Sequence, residues 1–293
     1  MFNSTKGLIL REVRYKEADR ILTILTESDG KITAKARGAL RKSSRTGAAT
    51  QQLTWSELTL FGNKGKWTVN EAAVAEGFEG LRADIEKLAL GSYIADCLET
   101  FAVEDQPDPA LLQLGLNSLY ALSRDLAEPE KIKAAFELRL MCLTGFRPEL
   151  SACSVCGRPD PEDPILSLGD GTICCRGCRK AAWDGVLLED DALAAARYVA
   201  EAPAKRLFSF PLEGKGLQCL SRACELFLQA HAERSFATLA YYKDLRGQTL
   251  EALAQAKGAE RRARPGAEPG ELPEGQDTAA PAEPAAPTDT EDR

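Results

Sequence analysis

Two closely spaced cysteine pairs constrain this chain more than any other feature of its sequence. Cys153 and Cys156 form one C-x-x-C pair, and Cys175 and Cys178 form a second pair after a short loop. Four thiolates presented on two tight turns make a closed tetrahedral shell for Zn²⁺. A closed shell leaves no ligand position for a catalytic water, so the spacing predicts a structural zinc site and places the function elsewhere on the chain.

The third ligand of this shell has two candidates, because Cys174 and Cys175 are adjacent and either can pair with Cys178. Cys175 reproduces the C-x-x-C spacing of the first pair, which leaves Cys174 as a packed or spare thiol. Gly157 follows Cys156 and favours a metal-binding turn, since turns that point backbone N–H groups at sulfur commonly need a positive φ. A thioredoxin-like redox pair would need a βαβ pattern, which the sequence lacks.

The other cysteines indicate a reducing compartment. They lie mostly in apolar, helical-looking sequence, where a free thiol acts as a small hydrophobic group. Nine cysteines without a secretion signal do not resemble a disulfide framework. Nowhere do about eighteen apolar residues run together, so we expect a soluble cytoplasmic protein with no membrane partner.

The N-terminal part of the chain has the pattern of a small β-barrel. Strand-like segments occupy residues 7–13, 20–26, 31–37, 53–61 and 66–74, with polar turns between them. Five short strands of this kind predict a five-stranded oligonucleotide-binding (OB) fold over residues 1–79. Residues 1–70 contain thirteen Lys or Arg and six Asp or Glu, so this predicted barrel is strongly basic.

The third strand concentrates that charge, because cationic and apolar residues alternate along it. A period of two places the cations on one face of the strand, and the following loop adds three more. The predicted nucleic-acid contacts are Lys31, Lys35 and Arg37 on the strand and Arg41, Lys42 and Arg45 on the loop. Such a surface can follow a phosphate backbone, with an affinity that falls steeply as salt rises. A merely solvated strand face is the alternative interpretation.

Three aromatic residues of the predicted barrel, Trp55, Phe61 and Trp67, could stack on bases. Aromatic side chains in small barrels more often fill the core. Both interpretations stay open on the sequence alone.

From about residue 80 the apolar residues recur at three- and four-residue steps, which predicts helices near residues 81–101, 111–126, 130–145, 190–201 and 217–245. The cysteine module, at about residues 150–182, is inserted in this helical domain of residues 80–250. The predicted fold class is therefore α+β: an OB-fold barrel followed by an α-helical domain with an inserted four-cysteine zinc module.

Residues 251–293 are predicted to form a disordered, acidic tail rich in alanine and proline. Residues 265–293 carry eight acidic residues and one Arg, which equals the whole net charge of −7. The rest of the chain is therefore electrically balanced, and the acidic pI says nothing against binding to nucleic acid.

Several short segments in a fixed order resemble the RecO family of bacterial recombination and repair proteins. The similar segments are residues 7–10, residues 15–26 (YKEADRILTILT), residues 30–32, residues 36–38, residues 75–78 (AEGF) and residues 227–231 (FLQAH). The resemblance covers roughly residues 5–245, and the cysteine module points to the zinc-containing branch of the family.

This resemblance implies a mediator of DNA repair and homologous recombination without catalytic residues. RecO-like proteins bind single- and double-stranded DNA, anneal complementary strands coated by single-strand-binding protein (SSB), and help load RecA together with RecR. The implied location is the cytoplasm, at the nucleoid. On this chain the DNA-binding role maps onto the six cations of the third strand and its loop.

Two other classes of function remain as alternatives. An OB-fold RNA-binding factor would use the same basic face and zinc module. An enzyme with an unrecognised site, such as a zinc-dependent hydrolase, would need an open metal position. The sequence contains neither a phosphate-binding G-x-x-x-x-G-K-[S/T] loop nor an H-E-x-x-H motif, and its one histidine, His231, has no local catalytic partner.

Overall fold

A computed structural model describes residues 2–63, 65–180 and 184–263, with side chains described as far as residue 250. The first five strands are β1 (Phe2–Tyr15), β2 (Asp19–Thr26), β3 (Gly30–Ala36), β4 (Trp55–Asn63) and β5 (Lys66–Glu76). They close into a barrel in the order β1-β2-β3-β5-β4, in which only the β3–β5 pairing is parallel. The predicted five-stranded barrel is confirmed.

The barrel interior is filled by the apolar residues that alternate with polar ones along its strands. Ile9, Leu22, Ile24, Ile32 and Leu60 are all essentially inaccessible to solvent. They pack in one cluster that is separate from the larger core of the helices. This barrel core is the rigid frame on which the outward-facing side chains of β3 are held.

Seven α-helices follow among the described residues. Their bounds are α1 (Glu79–Arg82), α2 (Ile85–Phe101), α3 (Pro109–Ser123), α4 (Pro129–Leu143), α5 (Asp190–Glu201), α6 (Gly214–Ala232) and α7 (Ala237–Ala263). Asp84 caps α2 by accepting hydrogen bonds from the N–H groups of Glu86 and Lys87, and Asp108 caps α3 in the same way from Leu111. The barrel and the helices up to residue 248 form one compact unit.

The segment 217–245, predicted to be helical, forms parts of two helices. Glu233 has a left-handed backbone with φ of 51° and ends α6, and α7 begins four residues later. Phe236, between the two helices, is buried edge-on against Tyr93 with ring centroids 5.5 Å apart. Burial of this aromatic ring outweighs the local preference for helix. Apolar periodicity does not detect such a contact between residues far apart in the sequence. Most of the predicted tail, residues 264–293, lies outside the described residues.

The cysteine module is inserted between α4 and α5. It is a small sheet of β6 (Glu149–Cys153), β7 (Ile165–Ser167), β8 (Thr172–Cys174) and β9 (Gly185–Leu187), arranged in the order β6-β8-β7-β9. Ile173 and Leu166 of this sheet belong to the same buried cluster as the helices. The module is therefore packed into the helical core and is not a separate appendage.

A buried ionic network ties the helices together. The Lys133 ammonium on α4 lies 3.1 Å from Glu137 and 2.9 Å from Glu225 of α6, while the Tyr93 hydroxyl of α2 donates to Glu137 at 2.8 Å. Lys133 and Glu137 are fully buried. Burial raises the pKa of Glu137 to about 7, against the opposing effects of Lys133 and Tyr93. Glu225 also pairs with Lys243 of α7 at 2.8 Å.

This network predicts that a single substitution lowers the free energy of unfolding more than a double substitution does. Lys133→Met leaves buried carboxylates without their cation and should lower the free energy of unfolding by about 3–5 kcal/mol. The double variant Lys133→Met/Glu137→Leu removes the uncompensated charge and should lose less. Lys205→Met, at an exposed position, is the matched control. Urea unfolding checks this, and a Lys133→Met variant as stable as the control would contradict it.

Candidate nucleic-acid interface and metal site

Two of the three cations predicted on the third strand lie on β3 itself. Lys31 and Lys35 alternate with the buried residues Ile32 and Ala34 and so lie on the outer face of the barrel, whereas Arg37 follows the last residue of the strand, Ala36, in a turn. The two ends of this strand have different surroundings.

The Lys31 end of the strand is closed by the helices. The Lys31 ammonium donates to the main-chain carbonyl of Glu99 on α2 at 2.9 Å, and its backbone bridges to Glu104. Gly30, just before it, has φ of +67°, and a Cβ there would lie 2.1 Å from the carbonyl oxygen of Gln106. Glycine is therefore required at this junction, and Lys31 contributes to the contact between barrel and helices.

The Lys35 end of the strand is organised by Asp19. Its carboxylate accepts a hydrogen bond from the backbone N–H of Gly38 at 2.8 Å and pairs with the Lys35 ammonium at 2.9 Å. The Gly38 bond and the Lys35 cation lower the pKa of Asp19 below its usual value. Asp19 thus stays ionised at neutral pH and fixes the backbone where the chain leaves β3.

Two further contacts hold the cationic loop against the turn between β1 and β2. The Leu40 N–H donates to the Ala18 carbonyl at 2.9 Å, and the Arg20 guanidinium donates to the Gly47 carbonyl at 2.7 Å. Arg20 is itself held by Glu12 at 3.1 Å. The loop therefore has a defined position beside the Lys35 end of the strand.

Four of the predicted cations are exposed directly after β3 and along the loop that follows it. None of their side chains has an acidic partner within salt-bridge distance among residues 2–63, 65–180 and 184–250. They are Arg37, Arg41, Lys42 and Arg45. We call these four residues the basic surface. Neighbouring cations on one loop produce a positive potential suited to a polyanion. At Arg45 this potential is reduced by Glu27, Glu57 and Glu71, which line the same surface cleft.

The aromatic residues selected from sequence lie elsewhere. Trp55 packs partly buried against the helical core, and Trp67 packs against the barrel core. Phe61 is partly exposed and contacts Phe2 with ring centroids 5.1 Å apart. An aromatic residue that does lie at the basic end is Tyr15, whose ring centroid is 4.8 Å from the Lys35 ammonium. Tyr15 lies two residues beyond the predicted end of the first strand, so the alternation pattern does not reveal it.

The second candidate site is the cysteine cluster. The Sγ atoms of Cys153, Cys156, Cys175 and Cys178 all lie within 4.8 Å of one another, and those of Cys156 and Cys175 are 3.8 Å apart. A tetrahedral zinc site with bonds of about 2.3 Å has sulfur–sulfur edges of about 3.8 Å. The four donors therefore fit the ion that their spacing predicts, and the cluster contains Cys175 and not Cys174.

The surroundings of the Cys153 sulfur suit a thiolate ligand, whereas in the absence of a metal ion the Cys175 and Cys156 sulfurs raise the pKa of Cys178 to about 12. Although burial opposes ionisation of Cys153, backbone N–H groups, those of Cys156 and Cys175 foremost, lower the pKa of this thiol to about 5. Burial, together with the neighbouring Cys153 sulfur, raises the pKa of Cys174 to about 11, which keeps it a thiol. Gly157 supplies the left-handed turn after Cys156 with φ of 71°. N–H groups directed at sulfur are the usual outer support of a thiolate metal site.

Two family models match this chain over nearly all of its described length. Residues 1–78 match the N-terminal domain of recombination protein O, and residues 82–240 match its C-terminal domain. The chain belongs to the RecO family. The resemblance stated from the sequence is thus confirmed, and the boundary between the two matches falls where the barrel meets the first helix.

Named relatives agree with this assignment. The DNA repair protein RecO of Acetivibrio thermocellus is 34% identical over 241 residues, which are 82% of this chain and 96% of the relative. That of Symbiobacterium thermophilum is 29% identical over 247 residues, with the same coverage. That of Desulforudis audaxviator is 38% identical over 176 residues, or 60% of this chain and 70% of the relative. Membership of RecO assigns the chain to DNA repair.

Within the described part of the chain, no helix has the length and apolar character needed to cross a membrane.

Proposed function

We propose that this RecO-family protein is a non-enzymatic mediator of recombinational DNA repair, acting in the cytoplasm at the nucleoid. It binds single- and double-stranded DNA, anneals complementary strands coated by SSB, and helps load RecA together with RecR. The observation that carries the proposal is the basic surface, which consists of four exposed cations, none of them in a salt bridge among the described residues, just after the third strand of an OB-like barrel. Family membership supports the same role.

Annealing follows from the physics of this surface. Two DNA strands repel each other through their phosphates, and cations that contact a strand release its condensed counterions. A protein that holds one strand by its backbone lowers this repulsion while leaving the base edges free to pair. Base pairing then supplies the driving force, so the reaction needs no nucleophile and no nucleotide hydrolysis.

The six predicted DNA contacts have unequal roles in this proposal. The basic surface makes the direct phosphate contacts. Lys35 is half-buried and already paired with Asp19, so it contributes mainly to the local potential. Lys31 is engaged with the Glu99 carbonyl and contributes at the edge of the site, where the barrel meets α2.

We propose further that Cys153, Cys156, Cys175 and Cys178 bind one structural Zn²⁺. Their sulfurs are close enough to share a single ion, and four thiolates fill its coordination shell. Zinc bound there would fix the ends of β6 and β8 against the helical core. A zinc-dependent hydrolase would need an open position that this donor set does not leave.

The first test is annealing of complementary DNA strands coated with cognate SSB, without ATP, at several salt concentrations. We expect the purified protein to accelerate annealing, with a rate enhancement that disappears as salt rises. RNA strands of the same sequence provide the comparison. No acceleration, together with no binding to bare DNA, would contradict the proposal, and preferential binding to RNA would favour the alternative RNA-binding role.

The second test concerns the basic surface. The variant Arg37→Gln/Arg41→Gln/Lys42→Gln should weaken binding to all DNA sequences alike, because phosphate contacts carry no base information. Each lost contact should reduce the slope of log K against log salt by about 0.7 on single strands. Fluorescence anisotropy over a salt series measures this.

The matched control for that variant is Lys205→Gln/Lys215→Gln/Arg222→Gln, which removes the same charge from exposed positions of the helical region. If the slope of log K against log salt fell as much in the control as in the test variant, DNA binding would depend only on the net charge of the protein. The basic surface would then not be the contact site.

The third test concerns zinc. Cys156→Ser should abolish the expected content of one zinc per chain and lower the Tm by about 10 °C, because the binding energy of a structural zinc contributes to folding. Cys142→Ser, outside the cluster, is the control. Elemental analysis and thermal melting check both variants. Retention of zinc by Cys175→Ser with its loss in Cys174→Ala would instead place Cys174 in the shell.

A further inference from the structure

Tyr15 lies at the end of β1, on the same outer face of the barrel as Lys35. Cross-strand pairing places Tyr15 opposite Asp19, and Val13 opposite Ile21, which in turn lies opposite Lys35. Residues directly opposite each other in antiparallel strands project from the same face. Tyr15 is 43% exposed, although its ring lies 4.8 Å from the Lys35 ammonium.

Two lysines lie near this ring, together with the Asp19 carboxylate that pairs with Lys35. Lys16 lies 5.7 Å from the ring centroid, and Lys35 lies closer on the neighbouring strand. The anchored start of the loop places Arg37 beside the same turn, since Gly38 bonds to Asp19 and Leu40 bonds to Ala18. A nucleotide at this position would find a π-surface for its base and cations for its phosphates.

The other exposed aromatic residues of the barrel lack this combination. Phe2 and Phe61 lie against each other, and the next residue of β1, Asn3, bonds to the acidic Asp29. Trp55 and Trp67 are partly buried against the two cores. Tyr15 is the aromatic residue for which exposure and neighbouring cations coincide in the described part of the barrel.

We propose that Tyr15 is a base-stacking platform that gives the basic surface its preference for single-stranded DNA. The proposal rests on the DNA-binding function proposed above and adds the residue that discriminates strand type. In single strands the bases are free to stack on an aromatic ring, whereas in a duplex they are already stacked inside the helix. Phosphate contacts do not favour a single strand over a duplex, so the ring supplies the difference.

The test compares the binding of a thymidine oligonucleotide and of a duplex by the full-length protein and three variants. Tyr15→Ala should bind the single strand about tenfold more weakly, with an unchanged salt slope, because stacking releases no counterions. Its duplex affinity should change less than twofold. Tyr15→Phe keeps the ring and should retain single-strand binding. Tyr241→Ala, at an equally exposed tyrosine on α7, should behave like the parent protein.

A second measurement does not depend on substitution. Single-stranded DNA containing 5-iodouracil, irradiated in complex with the unmodified protein, should cross-link to Tyr15, and peptide mass spectrometry would locate the adduct. Unchanged single-strand affinity in Tyr15→Ala, or cross-links confined to Phe2 and Phe61, would overturn the proposal. Equal losses on both DNA forms with a shallower salt slope would also overturn it, because Tyr15 would then only position Lys35. Absence of any DNA binding by the parent protein would instead refute the DNA-binding function itself.

Discussion

The candidate interface depends on two contacts of the Asp19 carboxylate, one with the Lys35 ammonium and one with the Gly38 N–H. Exposed cations repel one another, so a loop that carries three of them needs an opposing charge near its base. Asp19 provides this charge to Lys35 and also accepts the Gly38 N–H at the point where the loop begins. Because its pKa is lowered, the stabilisation is present at neutral pH and is lost as the pH falls and the carboxylate becomes protonated.

Contact between the barrel and the helices decides which cations of β3 remain available. At one end of the strand, Lys31 bonds to α2, and Arg11 pairs with Glu99 of the same helix at 3.0 Å. At the other end, the strand runs out into the anchored loop and its cations are exposed. A count of positive residues along the strand therefore overestimates the interface, because part of that charge stabilises the junction within the protein.

Local patterns were sufficient to predict most of the fold. Alternation in β3 and the spacing of the cysteines each depend on a few neighbouring residues, and both appear in the structure as expected. The break at Glu233 could not be predicted, because it depends on the burial of Phe236 against Tyr93, a residue far away in the sequence. The engagement of Lys31 and the exposure of Tyr15 likewise follow from the way distant segments meet.

In the proposed annealing role, phosphate contacts and base stacking have different functions, and this difference explains how the protein releases its duplex product. An annealing protein has to hold single strands and yet release the duplex that it makes, but phosphate contacts alone favour the duplex at least as strongly as the strand. If Tyr15 stacks on an unpaired base, pairing removes that base from the ring, and the complex weakens as the product forms. The energy of base pairing would then drive release as well as annealing. On this proposal, release of the product requires neither a bound nucleotide nor a catalytic group.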